Sequence, residues 1–444
     1  MKVSFTTLGC RLNQYESVEM QELLEEKDFK IVPFPEKADI YVINTCTVTG
    51  KSDYHCRQTI RKAIRSNRDA FIVVTGCYPQ TNPAEISRLP GIDLILGNEE
   101  KLDIYDYLKR LGIVGEDCHD RPVKRREPYI AIDRLAKGRN GVKSKQINSF
   151  QGHTRAFLKI QTGCNLNCSF CIVRLSRGSS RSEGIENIKK QVENLVNRGF
   201  KEIVLSGVDL GSYGRDLTPE TDLPDLLSIL LEIDGKFRIR LSSIGPGEVS
   251  DKLIDIIASS ERICNHLHIP LQSGDDHILK KMRRNYNSAF YHDLIKGLKK
   301  RIPDVGIGAD VMVGFPGETD EMFNNTCRLV KALPLTYLHV FTFSPRRGTD
   351  AFNLPGRIPG KISKERGLLM KRLGREKSVE FRRRYLDKES EILIENRDKD
   401  SGLLHGYSDN YIPIFLDGPD TLKNNLVQAK IMQIREKGLN AVMI

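Results

Sequence analysis

The 444-residue chain is 39% hydrophobic and 29% charged, which excludes a disordered protein, and its length predicts two to four domains. No apolar run approaches the roughly 20 residues of a membrane helix, and Met1 to Phe5 lead straight into a strand-like stretch without a signal peptide's apolar core, so a cytoplasmic protein with no membrane partner is expected. The net charge of +11 is uneven: residues 121–155 hold ten Lys/Arg against Glu127 and Asp133, and residues 361–390 hold eleven against five acids, as suits a polyanionic partner or two solvated basic surfaces.

Residues 1–115 alternate candidate strands at 3–8, 40–44, 72–75 and 94–96 with candidate helices at 16–26, 52–66 and 101–111. Such alternation predicts an α/β domain on a mostly parallel sheet. Cys10, Cys46 and Cys77 each stand just past the C-terminal end of one of these strands. In a parallel sheet those ends share one edge, where ligands bind. One such cysteine alone reads as a buried structural residue. Three in the same position of three units point to a metal centre.

A basic linker is expected at 116–154, and residues 155–350 repeat the strand–helix alternation six times. The strands fall at 157–161, 202–205, 238–242, 266–270, 308–313 and 338–343, enough for a partial (βα) barrel. Directly after the first comes Gly163-Cys164-Asn165-Leu166-Asn167-Cys168-Ser169-Phe170-Cys171. Three thiolates on one tight loop can hold three irons of a cubane cluster and leave the fourth open. Zinc is the alternative, but it wants a fourth Cys or His nearby, and the closest histidines are His153 and His266. Cys56, Cys118, Cys264 and Cys327 carry no signal beyond small apolar residues.

A basic helical connector is expected at 351–379. Residues 380–444 then show short alternating runs and turn dipeptides, the pattern of a small all-β barrel. The run Arg382, Arg383 and Arg384 at its start is a candidate for RNA phosphates.

The cysteine loop, placed after the first strand of a six-unit barrel, resembles the radical S-adenosylmethionine (SAM) superfamily. Thr7-Leu8-Gly9-Cys10-Arg11-Leu12-Asn13-Gln14-Tyr15-Glu16-Ser17, Asn44-Thr45-Cys46-Thr47-Val48-Thr49 and Val74-Thr75-Gly76-Cys77 resemble the N-terminal signature of the methylthiotransferases. Gly406-Tyr407-Ser408-Asp409-Asn410-Tyr411 is similar to the pattern of RNA-binding TRAM domains.

That resemblance implies two [4Fe–4S] clusters, one on Cys164, Cys168 and Cys171 that cleaves SAM to a 5′-deoxyadenosyl radical, and one on Cys10, Cys46 and Cys77 that carries sulfur. It implies SAM contacts from strand-end turns: Ser206, Gly207 and Asp209; Gln272 and Ser273; Gly314, Pro316 and Glu318. It implies RNA contacts from Tyr407, Asn410 and Tyr411. The expected partners are a tRNA anticodon stem-loop, an electron donor such as flavodoxin or ferredoxin, and a sulfur donor. The stretch around Cys10 looks most like the branch acting on threonylcarbamoyladenosine 37 of tRNA. The branches acting on isopentenyladenosine or on a ribosomal-protein aspartate are alternatives, and an iron–sulfur RNA-binding redox sensor is the non-enzymatic one. Arg174, Arg177 and Arg181 would suit an anionic modification or RNA phosphates equally. Two positions depart from the family pattern: Arg174 stands where relatives usually carry proline, and Gly245 where they usually carry an acid.

Overall fold

The computed structural model describes residues 1–115, 127–133, 135, 142, 144–150 and 154–444. Cys118, His153 and much of the basic linker lie outside the described residues. The chain packs as two units, Met1–Ser149 with Gln161–Glu183 and Ser344–Phe352, and Phe150–Ile160 with Gly184–Phe343 and Asn353–Ile444.

The first unit is built on a parallel sheet ordered β2-β1-β3-β4-β5-β6: β1 (Lys2–Thr7), β2 (Lys30–Val32), β3 (Ile40–Thr45), β4 (Phe71–Gly76), β5 (Leu94–Leu96) and β6 (Tyr129–Ala131). Both faces are covered, so the central strands are continuous apolar runs. Ile40, Val42, Phe71 and Val73 pack with Met20, Leu24, Ile104 and Leu108 on one face. Tyr41, Ile43, Ile72 and Val74 pack with Ile60, Ala63 and Ile86 on the other. The period of two along each strand creates this division. The first helix, Arg11–Glu25, starts five residues before the predicted position, directly behind Cys10. The short edge strands β2 and β6 were not predicted; each has only three residues.

The cysteine loop belongs to this unit. It lies within an antiparallel hairpin, β8 (Gln161–Thr162) with β9 (Arg181–Ser182), and contains a short helix, Val173–Arg177.

The second unit holds six parallel strands in two runs of three: β7 (Ala156–Lys159), β10 (Glu202–Ser206) and β11 (Arg238–Leu241), then β12 (His266–His268), β13 (Gly306–Val313) and β14 (Tyr337–Thr342). Single bridges, Ile239 to Ile263 and Ser243 to His268, join the runs. This is the partial barrel expected. A long helix, Gly360–Arg383, leads to a closed five-strand barrel, ordered β15-β16-β17-β19-β18: β15 (Glu389–Arg397), β16 (Leu404–Ser408), β17 (Pro413–Leu416), β18 (Leu426–Arg435) and β19 (Gly438–Met443).

The small barrel is seated on the strand starts of the larger one. Glu202, at the start of β10, is fully buried between Arg238 and Arg240, each 2.7 Å away. Arg240 also donates to the carbonyls of Asp409 and Ser408 at 2.7 and 3.1 Å, and Arg238 to that of Tyr407 at 2.9 Å. Against the cost of burial, these guanidiniums hold the Glu202 carboxyl well below the usual range.

Candidate active site

In the first unit, backbone geometry brings three cysteine turns together. Gly9, before Cys10, has φ +111°, and a Cβ there would stand 2.7 Å from Cys46 Cβ and 3.1 Å from its sulfur. Gly76, before Cys77, has φ +99°, and its Cβ would meet the Asn44 side chain and the Thr45 carbonyl at 2.5 Å. Glycine alone tolerates both the left-handed backbone and the close approach. The turns at Cys10 and Cys77 therefore press on the Cys46 turn from both sides. The Asn13 amide fixes this arrangement by donating to the carbonyls of Leu8 and Thr45, at 2.8 and 2.9 Å. Burial, reinforced by the neighbouring Cys77 and Cys10, pushes the Cys46 thiol up to about 11. Crowded, buried thiols resist ionising without a cation to share.

Polar side chains lie close to these sulfurs. Asn98 Nδ2 lies 3.7 Å from Cys77 Sγ, and Asn98 Oδ1 accepts from Lys101 at 2.8 Å. Lys101, only 2% exposed, pairs with Glu16 at 2.5 Å. Arg177 donates to both Glu16 oxygens, at 2.8 and 3.0 Å, and to Asn13 Oδ1 at 2.5 Å. An all-sulfur ligand set with the Asn98 amide donating to it and two buried cations nearby fits an iron–sulfur centre. Cys56 lies behind it, its thiol donating to the Cys46 carbonyl at 3.3 Å, a packing role.

The second triad occupies one pinned loop. At Gly163, φ +73°, a Cβ would lie 1.9 Å from the Ser179 carbonyl oxygen. Cys164 N donates to Gly178 O at 3.1 Å, and Ala351 N to Ser169 O at 2.8 Å. Leu166 N donates to Cys164 Sγ at 3.3 Å, a contact that favours the thiolate. Cys164, Cys168 and Cys171 are all half-buried, so this loop too fits a cluster open to a ligand. Of the three arginines beyond it, only Arg174 is exposed. Arg177 is buried on Glu16, and Arg181 pairs with Glu99 at 2.5 Å, so neither stands ready for an anionic substrate as the sequence suggested.

In the second unit the predicted turns lie at the C-terminal strand ends. Ser206 is buried, and its carbonyl accepts from Ile160 N at 3.0 Å. Gly207 N donates to Ser242 Oγ at 3.4 Å. Burial and the adjacent Asp209 push the Glu248 carboxyl up to about 8. Glu248 Oε2 lies 2.9 Å from the point a Cβ at Gly245 would take, so a carboxyl stands beside the position where the sequence lacks one. Gln272, at φ +65°, bridges Val311, and Ser273 Oγ lies 3.3 Å from Thr326 Oγ1. Glu318 is placed differently from expectation. Its buried carboxylate accepts from Gly314 N at 2.8 Å and Arg366 at 2.7 Å, so it closes its own turn, with Pro316 buried inside.

Sequence reasoning missed His268, Asp310 and His339. His268 Nε2 lies 2.9 Å and His339 Nδ1 3.4 Å from Asp310 Oδ1. Despite burial, these contacts bring the Asp310 carboxyl down to about 2. His268 and His339 stand on separate strands 71 positions apart, so no local spacing announced them. Cys264 and Cys327 are buried elsewhere in this unit.

The residues proposed for RNA divide. Arg383 and Arg384 are exposed, whereas Arg382 is buried and donates to the carbonyls of Arg435, Glu436 and Gly438 at 3.0 to 3.2 Å. Asn410 is buried on Ser408 and Asp304. Tyr407 and Tyr411 stack on each other under Arg155. Arg382, Asn410, Tyr407 and Tyr411 thus join the small barrel to its support.

Comparison with known proteins identifies the family. The Radical SAM superfamily model matches residues 158–330, and that of Uncharacterized protein family UPF0004 matches residues 2–97. The solved radical SAM methyltransferase TsrM from Kitasatospora setae is similar in fold, with a TM-score of 0.55 at 14% identity, covering 79% of this chain and 77% of that one. The class is therefore that of radical SAM enzymes, which use a [4Fe–4S] cluster and SAM.

The threonylcarbamoyladenosine tRNA methylthiotransferase MtaB of Bacillus subtilis is 38% identical over 97% of this chain and 94% of its own length. MtaB of Aquifex aeolicus is 38% identical over 94% and 97%. The tRNA-2-methylthio-N(6)-dimethylallyladenosine synthase of Alkaliphilus oremlandii is 33% identical over 100% and 93%. The chain belongs to the radical SAM methylthiotransferase family.

Proposed function

We propose that this enzyme places a methylthio group on C2 of N6-threonylcarbamoyladenosine 37 in the anticodon stem-loop of tRNA. The observation that carries it is the presence of two three-cysteine sites in one unit, one on the loop of the radical SAM match and one at the edge of the N-terminal sheet. When bound, a cluster at Cys164, Cys168 and Cys171 supplies the electron that cleaves SAM, and a second at Cys10, Cys46 and Cys77 carries the sulfur to be transferred. Gly9, Gly76 and Asn13 hold the sheet-edge thiols in place, and Gly163 and Leu166 hold the loop. Ser206, Gly207, Asp209, Gln272 and Ser273 line the strand ends where SAM would bind, with Glu248 adding a carboxyl beside Gly245.

The choice among modified adenosines is supported by the relatives: MtaB proteins at 36–38% identity, dimethylallyladenosine synthases at 31–33%. A cytoplasmic location, a flavodoxin or ferredoxin as electron donor and a separate sulfur donor complete the proposal. No helix among the described residues is long and apolar enough to cross a membrane. The test is competition. Purified enzyme is offered tRNA carrying threonylcarbamoyladenosine, tRNA carrying isopentenyladenosine, and the ribosomal protein. Methylthio incorporation chiefly into the first supports the assignment, and incorporation chiefly into either of the others overturns it.

A further inference from the structure

The side chains bonded together beneath the sheet-edge cysteines are unequal in charge. Lys101 and Arg177 are cations; Glu16, which both of them bind, is the single carboxylate. All three are buried. The neighbouring pairs are balanced: Glu99 with Arg181 at 2.5 Å, and Asp53 with Arg346 at 2.5 Å. Other buried acids of the helix Arg11–Glu25 turn to backbone N–H groups, Glu19 to that of Lys145 at 2.9 Å, and Glu22 to those of Asn148 and Ser149 at 2.6 and 2.7 Å. Glu183 lies buried near Tyr15.

An uncompensated buried charge is strongly destabilising, so a surplus cation in such a network implies an anion beside it. The anions within reach are the thiolates. Asn98 ties Lys101 to Cys77, accepting from the ammonium and donating to the sulfur at 3.7 Å, and the Asn13 Oδ1 that accepts from Arg177 lies 3.9 Å from Cys10 Sγ. An oxidised [4Fe–4S] core with three thiolates carries one net negative charge and gains a second on reduction. The surplus of Lys101 and Arg177 over Glu16 neutralises the oxidised form and favours the reduced one.

We propose that Arg177 and Lys101 are positioning residues for the sheet-edge cluster, and that their surplus positive charge raises its reduction potential. This rests on the reading that Cys10, Cys46 and Cys77 ligate a cluster. Arg177 stands six residues beyond Cys171, so the segment that carries one cysteine triad also supplies the counter-charge for the other.

The test uses full-length protein with Cys164, Cys168 and Cys171 changed to Ala, reconstituted anaerobically with iron and sulfide. Its remaining cluster is titrated reductively with mediator dyes and followed by electron paramagnetic resonance. Lys101→Met and Arg177→Met should shift the midpoint potential downward, Arg177→Lys should restore most of the shift, and Glu16→Gln should move it upward. Opposite signs at Lys101 and Glu16 are the signature of charge, because damage to packing has no preferred sign. Should Arg177→Met fail to fold, Lys101→Met and Glu16→Gln carry the test. Full iron content with an unchanged potential in both overturns the proposal. If the parent binds no iron, the ligand assignment itself falls, and the proposal with it.

Discussion

The ring of Tyr407 stacks on that of Tyr411, with centroids 4.8 Å apart and 18° between their planes. Arg240 lies 5.0 Å above the Tyr411 ring from below the small barrel, and His266 lies 4.7 Å from it. Rings held in this way anchor one barrel to the other. Tyr411→Ala should lower the unfolding temperature and leave the salt dependence of tRNA binding unchanged. Calorimetry and a binding titration in rising salt read the two effects separately.

The arginine run should divide in the same assay. Replacing Arg383 and Arg384 by Ala should reduce the slope of log K against log salt by about 0.9 or less for each phosphate these side chains neutralise. Arg382→Ala should leave the slope alone but unseat three carbonyls, lowering stability by about 1–3 kcal/mol. A wild-type slope in the Arg383 and Arg384 variants would remove the exposed pair from the tRNA surface.

Glu202 predicts a larger loss. Glu202→Gln leaves Arg238 and Arg240 buried without their carboxylate, which costs about 3–5 kcal/mol. Denaturant unfolding of the wild type and the variant gives the difference. A loss below about 1 kcal/mol would show that the small barrel's carbonyls satisfy the arginines alone.

Glu248 predicts a pH dependence. Its carboxyl titrates near 4.5 when unperturbed and at about 8 when folded. Between those values the folded chain binds more protons than the unfolded one, so stability falls as pH rises, by at most about 1.4 kcal/mol per unit. Glu248→Gln should flatten that decline between about pH 5 and pH 8. Parallel curves for the two proteins would place the proton elsewhere.

At Gly163, alanine should be poorly tolerated, since its methyl would meet the Ser179 carbonyl oxygen in a left-handed backbone. Gly163→Ala should approach half the iron of the reconstituted wild type, with the sheet-edge cluster retained. Iron analysis checks this directly, and full iron content would show that the hairpin yields.

The central strands were legible because residues such as Ile40 to Ile43 are buried on both faces, which demands an unbroken apolar run. The reason glycine precedes Cys10 and Cys77 was not legible, because it lies in two turns crowding a third in space. Edge strands β2 and β6 were not legible: Lys30 is exposed and Tyr129 only half-buried, so backbone pairing decides them. The fates of Arg177 and Arg181 were hidden for a different reason. Their partners, Glu16 and Glu99, lie 161 and 82 positions away, and a charged side chain carries no mark of whether it will meet water or a distant carboxylate. Tyr407 and Tyr411 show the same limit, for aromatic residues suited to stacking on bases are equally suited to a guanidinium.

Between Ile160 and Gln161 the chain leaves one packed unit for the other; it returns after Glu183 and makes a further excursion at Ser344–Phe352. The N-terminal sheet is thus completed by segments encoded far downstream. A gene fragment ending near residue 150 would deprive Glu16 of Arg177 and Asp53 of Arg346, exposing to solvent a polar interior built for partners that never arrive. The sheet is consequently not a cassette that recombination can transplant alone. Its inheritance is bound to that of the downstream hairpin that carries the radical loop.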